Sequence, residues 1–150
     1  MNFIEPSLNA IAGKLEMITA AHQPLWGQMS AQRMIEHLSD TIILSKGNHT
    51  IQLAIPEDKV ERAQQFLGSE HPMPKDFNVS FATPEMSIRN NSIEEALDEL
   101  KNAWRSFEEF FSGHKGTTLH PYFGNLNYEL WLRMHSKHIT HHLAQFGINV

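Results

Sequence analysis

The sequence predicts an all-α fold: a four-helix bundle with one long crossover between its second and third helices. Three observations carry this. Apolar residues recur at the helical period in four separate stretches. Capping residues open most of these stretches, and glycines close two of them. The span from Asn48 to Asn91 is irregular and too long to be a hairpin connection, so the helices on either side of it need not be antiparallel neighbours. A chain of 150 residues has room for one domain with a core of its own, taken here as residues 1–150.

The first helix is expected over residues 7–21, on a stripe of Leu8, Ile11, Leu15 and Ile18. Pro24 and Gly27 then punctuate a connector that contains Trp26. Ser30 is a good N-cap for a second helix over residues 31–45, and Gly47 a plausible stop. Met34, Ile35, Leu38 and Ile42 form its inward stripe, with His37 on the flank; Gln32, Glu36 and Asp40 are expected to point away. Within the crossover, Thr50 to Ile55 reads as a short extended segment and residues 57–67 as a short helix behind Pro56. The stretches His71-Pro72-Met73-Pro74 and Thr83-Pro84 mark loop.

Ser92-Ile93-Glu94-Glu95 is a capping box, and it opens a third long helix over residues 93–112. Its stripe is Ile93, Ala96, Leu97, Leu100, Trp104, Phe107 and Phe111. Gly113 to Leu126 is expected to be loop, and Asn127 caps the last helix, over residues 128–146. The expected core comprises Leu38, Ile42, Leu97, Leu100, Trp104, Phe107, Met134 and Phe146.

Composition removes several function classes. There is no cysteine, which excludes disulfides, thiolate nucleophiles and cysteine-ligated metal. The net charge of −5, with lysines and arginines scattered, argues against nucleic acid as a partner. No run approaches the ~20 apolar residues of a membrane span, and the N-terminus lacks the pattern of a signal peptide. A cytoplasmic protein is expected. Zinc-protease, di-iron, phosphate-loop and hydrolase-elbow motifs are all absent.

The outlier is histidine, with ten in the chain and four of them between His135 and His142. At about 100° of rotation per residue, Trp131, Met134, His135, His138, Ile139, His142 and Phe146 share one arc of the last helix. Glu129, Arg133, Ser136, Lys137, Thr140 and Ala144 share the opposite one, and His141 sits at the edge of the apolar arc. The i, i+4 pair His138 and His142 therefore stacks on the apolar face. Two readings stand. The rings are core histidines satisfied by neighbours, or they grip one ion, with His37 as the best third ligand in an open three-histidine site. His135 is either core or pocket lining, and His120, before Pro121, is a candidate for the bundle mouth.

Three stretches carry a family resemblance. They are Pro24-Leu25-Trp26-Gly27-Gln28-Met29 with Ala31-Gln32-Arg33-Met34-Ile35-Glu36-His37-Leu38; His120-Pro121-Tyr122-Phe123-Gly124-Asn125-Leu126; and Lys137-His138-Ile139-Thr140-His141-His142-Leu143-Ala144-Gln145-Phe146-Gly147. With them the chain resembles the DinB/YfiT-like superfamily of small bundle proteins, and most closely a branch known only as a domain of unknown function. The resemblance implies an up-down-down-up bundle holding a divalent metal on three histidines. It places the ligands at His37, His138 and His142, the last of them three residues before Gln145, and makes His141 a neighbour rather than a ligand. Characterised relatives are transferases and isomerases that use a low-molecular-weight thiol.

Two functions are therefore expected. In the first, a zinc- or nickel-like ion at His37, His138 and His142 activates a small thiol toward an electrophile. His120, His135, His141 and Tyr122 are then candidates for the pocket lining. In the second, the bundle is a metal-stabilised binding or interaction module, as a monomer or homodimer, that catalyses nothing. No acidic residue on the inward arc of the last helix offers a general base, and that favours the second.

Overall fold

A computed structural model describes residues 2–75 and 87–150. The described residues are mostly helical, with five α-helices and one two-stranded sheet among them. The helices are α1 (Leu8–Leu15), α2 (Ala31–Leu44), α3 (Val60–Leu67), α4 (Ile93–Gly113) and α5 (Tyr128–Gln145). The strands are β1 (Thr118–His120) and β2 (Gly124–Leu126). Among the described residues no helix is long and apolar enough to cross a membrane.

The caps behave as their side chains dictate. The Ser30 hydroxyl accepts from the Arg33 N–H, Ser92 from Glu95, and Asn127 from Leu130. The Glu95 carboxylate closes the box one residue early, on the Asn91 N–H at 3.0 Å. The first helix is shorter than its apolar stripe suggests. The Thr19 N–H donates to His22 Nδ1, and the Ala21 N–H to the Thr19 hydroxyl, so side chains take over the backbone donors and the helix gives way to turns. Ile18 is still buried.

α2 and α4 make the most extensive helix pair, and both α1 and α3 also pack on α5. All eight expected core residues are buried. Thr50 to Ile55 forms no strand; the segment is held by the Ala54 N–H on the Pro121 carbonyl. The short helix is present as α3, entered through a 3-10 turn at Glu57–Lys59. Thr83-Pro84 lies outside the described residues.

The expected loop between Gly113 and Leu126 contains the small sheet, so the fold is not purely helical. Its antiparallel register pairs Thr118 with Leu126 and His120 with Gly124. Gly124 has φ +75°, and a Cβ there would meet Val60 Cγ1 at 2.6 Å, so the close approach of α3 requires glycine. The Gln64 amide on α3 donates to the Phe123 and Asn125 carbonyls and clamps the hairpin. From β1, the Thr118 hydroxyl donates to the Ser45 carbonyl at 2.7 Å and accepts from the Trp131 indole N–H at 2.7 Å. These two bonds tie the end of α2 to the start of α5.

The arc of α5 opposite its apolar face is only partly solvated. Ser136, Lys137 and Thr140 are buried along with the apolar face. The reason is the chain before α1, which lies on that arc. The Ile4 N–H donates to the Thr140 hydroxyl, and the Ser136 hydroxyl donates to the Ile4 carbonyl. Lys137, 2% exposed, donates to the Ser69 and His71 carbonyls, and its ammonium lies 4.3 Å from the Phe3 ring and 4.5 Å from the Phe66 ring. Burial lowers its pKa, and these contacts offset the cost of enclosing the charge.

Glu36 is corrected: it is fully buried instead of pointing away. Its carboxylate accepts from the Arg89 and Asn90 backbone N–H groups and from the Gln32 and Asn90 amides. Burial alone would raise its pKa, but these hydrogen bonds outweigh burial and hold the carboxyl below its usual value. The approach to α4 is thereby pinned to the middle of α2.

Candidate metal centre

α2 and α5 bring His37, His138 and His142 together. His37 Nε2 lies 2.9 Å from His138 Nε2, and His142 Nε2 lies 3.1 Å from the same atom. One ring nitrogen from each of the three residues falls within 4.8 Å of the others. A tetrahedral ion about 2.05 Å from each nitrogen would hold neighbouring nitrogens about 3.3 Å apart. The cluster is thus close to the spacing a single ion needs. The three rings meet nearly edge to face, with interplanar angles of 71° to 89°.

Hydrogen bonding around the cluster fixes one tautomer. The Gln145 amide N–H₂ donates to the Trp26 carbonyl at 2.9 Å, which turns its oxygen toward His142 Nδ1, 2.8 Å away. That oxygen only accepts, so Nδ1 of His142 carries the proton and Nε2 presents a lone pair to the cluster. The connector Leu25-Trp26 is held there by a second bond, from the Leu25 N–H to the Gln145 carbonyl at 2.7 Å.

This tautomer leaves the cluster short of protons. His138 Nε2 faces two nitrogens and carries at most one proton, while His142 Nε2 has none to give. One proton cannot make both the 2.9 Å and the 3.1 Å contact. Additional protons are disfavoured. Burial, and then the neighbouring Arg33 and His141, lower His37 to about 4. Burial first, and then the other rings, push His138 and His142 well below the ordinary histidine value. Neutral rings with converging lone pairs are the state in which imidazole binds a cation. The three residues fit a divalent ion on this ground.

The remaining expected site residues divide. His141 is half-buried beside the cluster; it meets Trp26 at 5.7 Å and His142 at 4.9 Å between ring centroids. A hydrogen bond to the Met73 backbone helps hold it there. His135 is core: its ring stacks on Trp131 and packs against Trp104 and Phe107. His120 is corrected. It is 4% exposed and lies between Phe123 and Trp131, not at a mouth. β1 carries it inward, where its Nδ1 accepts from the Tyr122 N–H at 3.0 Å. The Tyr122 ring is half-buried, 6.2 Å from that of His120.

Sequence reasoning did not assign a role to Gln145. For Gln145 a signal exists, since it follows His142 by three residues and so shares its face.

A mainly helical protein with a near-buried cluster of three histidine nitrogens belongs to the class of candidate divalent-metal proteins. The chain belongs to the family of proteins of unknown function DUF1569, whose model matches residues 7–149. No curated protein and no solved structure matches it.

Proposed function

We propose that this chain is a divalent-metal protein of the DinB-like kind, a single-domain up-down-down-up four-helix bundle, working as a thiol-dependent transferase. The observation that carries the reading is the convergence of three Nε2 atoms on α2 and α5, with His142 held in the ligating tautomer by Gln145. His37, His138 and His142 are the ligands, and zinc or nickel suits a neutral imidazole set. When bound, the ion supplies Lewis-acid chemistry that lowers a thiol's pKa so that the thiolate forms near neutral pH. The partners are a low-molecular-weight thiol and an electrophile. The chain's own residues position the imidazoles. Gln145 fixes one ring, while Trp104, Phe107 and Trp131 pack around His135.

The test is turnover by metal-loaded protein with a small thiol against a panel of electrophiles. Activity that depends on the ion and disappears in His142→Ala supports the reading; turnover unchanged in that variant sinks it. One observation favours the second reading, a non-catalytic metal-stabilised binding module. His37 and His142 are only 5% and 7% exposed and His138 is half-buried, so the cluster is largely enclosed, as a structural site would be. A metal that raises the unfolding temperature while no thiol perturbs its spectrum would decide for that module.

A further inference from the structure

We infer that the approach to the histidine cluster recognises the carboxylate of a small organic anion, through the Lys75 ammonium and the Trp26 indole N–H. The inference rests on the metal reading above and deepens it by naming the charge class of the ligand. A continuous line of contacts leads to the cluster. Lys75 Nζ lies 4.4 Å over the Trp26 ring, Trp26 meets His141 at 5.7 Å, and His141 meets His142 at 4.9 Å. The backbone of Trp26 is fixed against α5 by Gln145, so the indole is a positioned wall.

Two features of that wall ask for an acceptor. Trp26 Nε1 is buried and among the described residues has no hydrogen-bond partner, a cost that a ligand oxygen would remove. Lys75 is exposed, and among the described residues no carboxylate pairs with it. An ammonium on a ring face keeps N–H donors free to point elsewhere. One ammonium and one indole N–H match the two oxygens of a carboxylate, whereas phosphate recognition draws on larger sets of donors.

The charge around the cluster has the same sign. Arg33 lies one turn before His37 on α2 and is buried. Asp40 lies 3.7 Å away, and after burial the Arg33 charge helps to depress the His37 pKa. Lys75 acts likewise on His141, after burial. Among the described residues no acidic group hydrogen-bonds or ion-pairs with a ring of the cluster. Three neutral imidazoles cancel none of a dication's charge, so the site as a whole favours an anion.

The experiment uses the full chain loaded with cobalt(II) and follows the visible absorption of the cobalt. Three thiols of similar size are titrated: 3-mercaptopropionate, 3-mercaptopropanol and cysteamine. The expected order is anion, then alcohol, then amine, with the anion about tenfold tighter than the alcohol. Lys75→Ala and Trp26→Phe should each reduce that preference to about threefold or less, and Lys75→Arg should keep it. Equal binding of the three thiols overturns the inference and leaves the metal reading standing. A preference that survives both Lys75→Ala and Trp26→Phe comes from the carboxylate reaching the ion itself, and also overturns it. A chain that takes up no cobalt overturns the metal reading, and this inference with it.

Discussion

Replacing Gln145 by leucine tests the tautomer argument directly. The two side chains have similar volumes, so packing changes little. Two hydrogen bonds are lost: the 2.8 Å contact with His142 Nδ1 and the 2.9 Å bond to the Trp26 carbonyl. Gln145 is buried, so both former partners are left without an intramolecular substitute. At about 1–3 kcal/mol for a stranded buried group, and allowing for partial relaxation, the variant should lose about 2–4 kcal/mol of stability in urea unfolding. The effect on metal is separate. With Nδ1 unanchored, His142 samples the tautomer whose Nε2 is protonated and turns away from the ligating orientation. Loss of such a supporting bond lowers metal affinity about 10–100-fold. Competition against a chromophoric chelator, done on folded protein well below the unfolding midpoint, measures it. Affinity within about twofold of the parent would refute the claim that Gln145 sets the ligating form of His142.

Two further outcomes follow from the buried groups. Leu100 is fully buried in the α4 stripe, so Leu100→Ala should cost about 2–5 kcal/mol by urea unfolding; a loss below about 1 kcal/mol would mean that the site collapses without leaving a cavity. His120 and His135 are each held down to about 3 by burial, against an ordinary value of 6.5. As pH falls below about 6.5 the unfolded chain takes up these protons first, so the stability they contribute is full above that pH and is lost between about 6.5 and 3. Each ring should contribute a slope of about 1.4 kcal/mol per pH unit to metal-free protein, and His135→Phe should remove one such increment. A stability that is flat from pH 7 to pH 4.5 would contradict the neutral, buried state of these rings.

The helices were legible because each carries its own local instructions. The stripe from Ile93 to Phe111 and the Ser92 cap specify α4 without reference to the rest of the chain. The His138 and His142 pair of α5 was legible for the same reason, since a spacing of four residues on one helix fixes their relation. His37 needed the additional knowledge that its flank of α2 faces α5. What escaped the sequence depends on partners far along the chain. Glu36 looks like a solvated carboxylate until Arg89 and Asn90 fold over it, and Lys137 looks like a surface lysine until Ser69, His71 and Phe3 close around it. The sheet at Thr118–Leu126 has strands of three residues, too short to show an alternating pattern, and α3 and Trp131 hold it in place more than its own propensity does.

The central claim is that His37, His138 and His142 hold one divalent ion. Metal analysis of protein purified without an affinity tag, alongside His142→Ala and His141→Ala, tests it most directly. About one ion per chain is expected in the parent and in His141→Ala, since His141 is a neighbour and not a ligand, with little or none in His142→Ala. A parent that holds no ion after incubation with zinc or nickel, or a His142→Ala variant that keeps the parent's full content, would contradict the account.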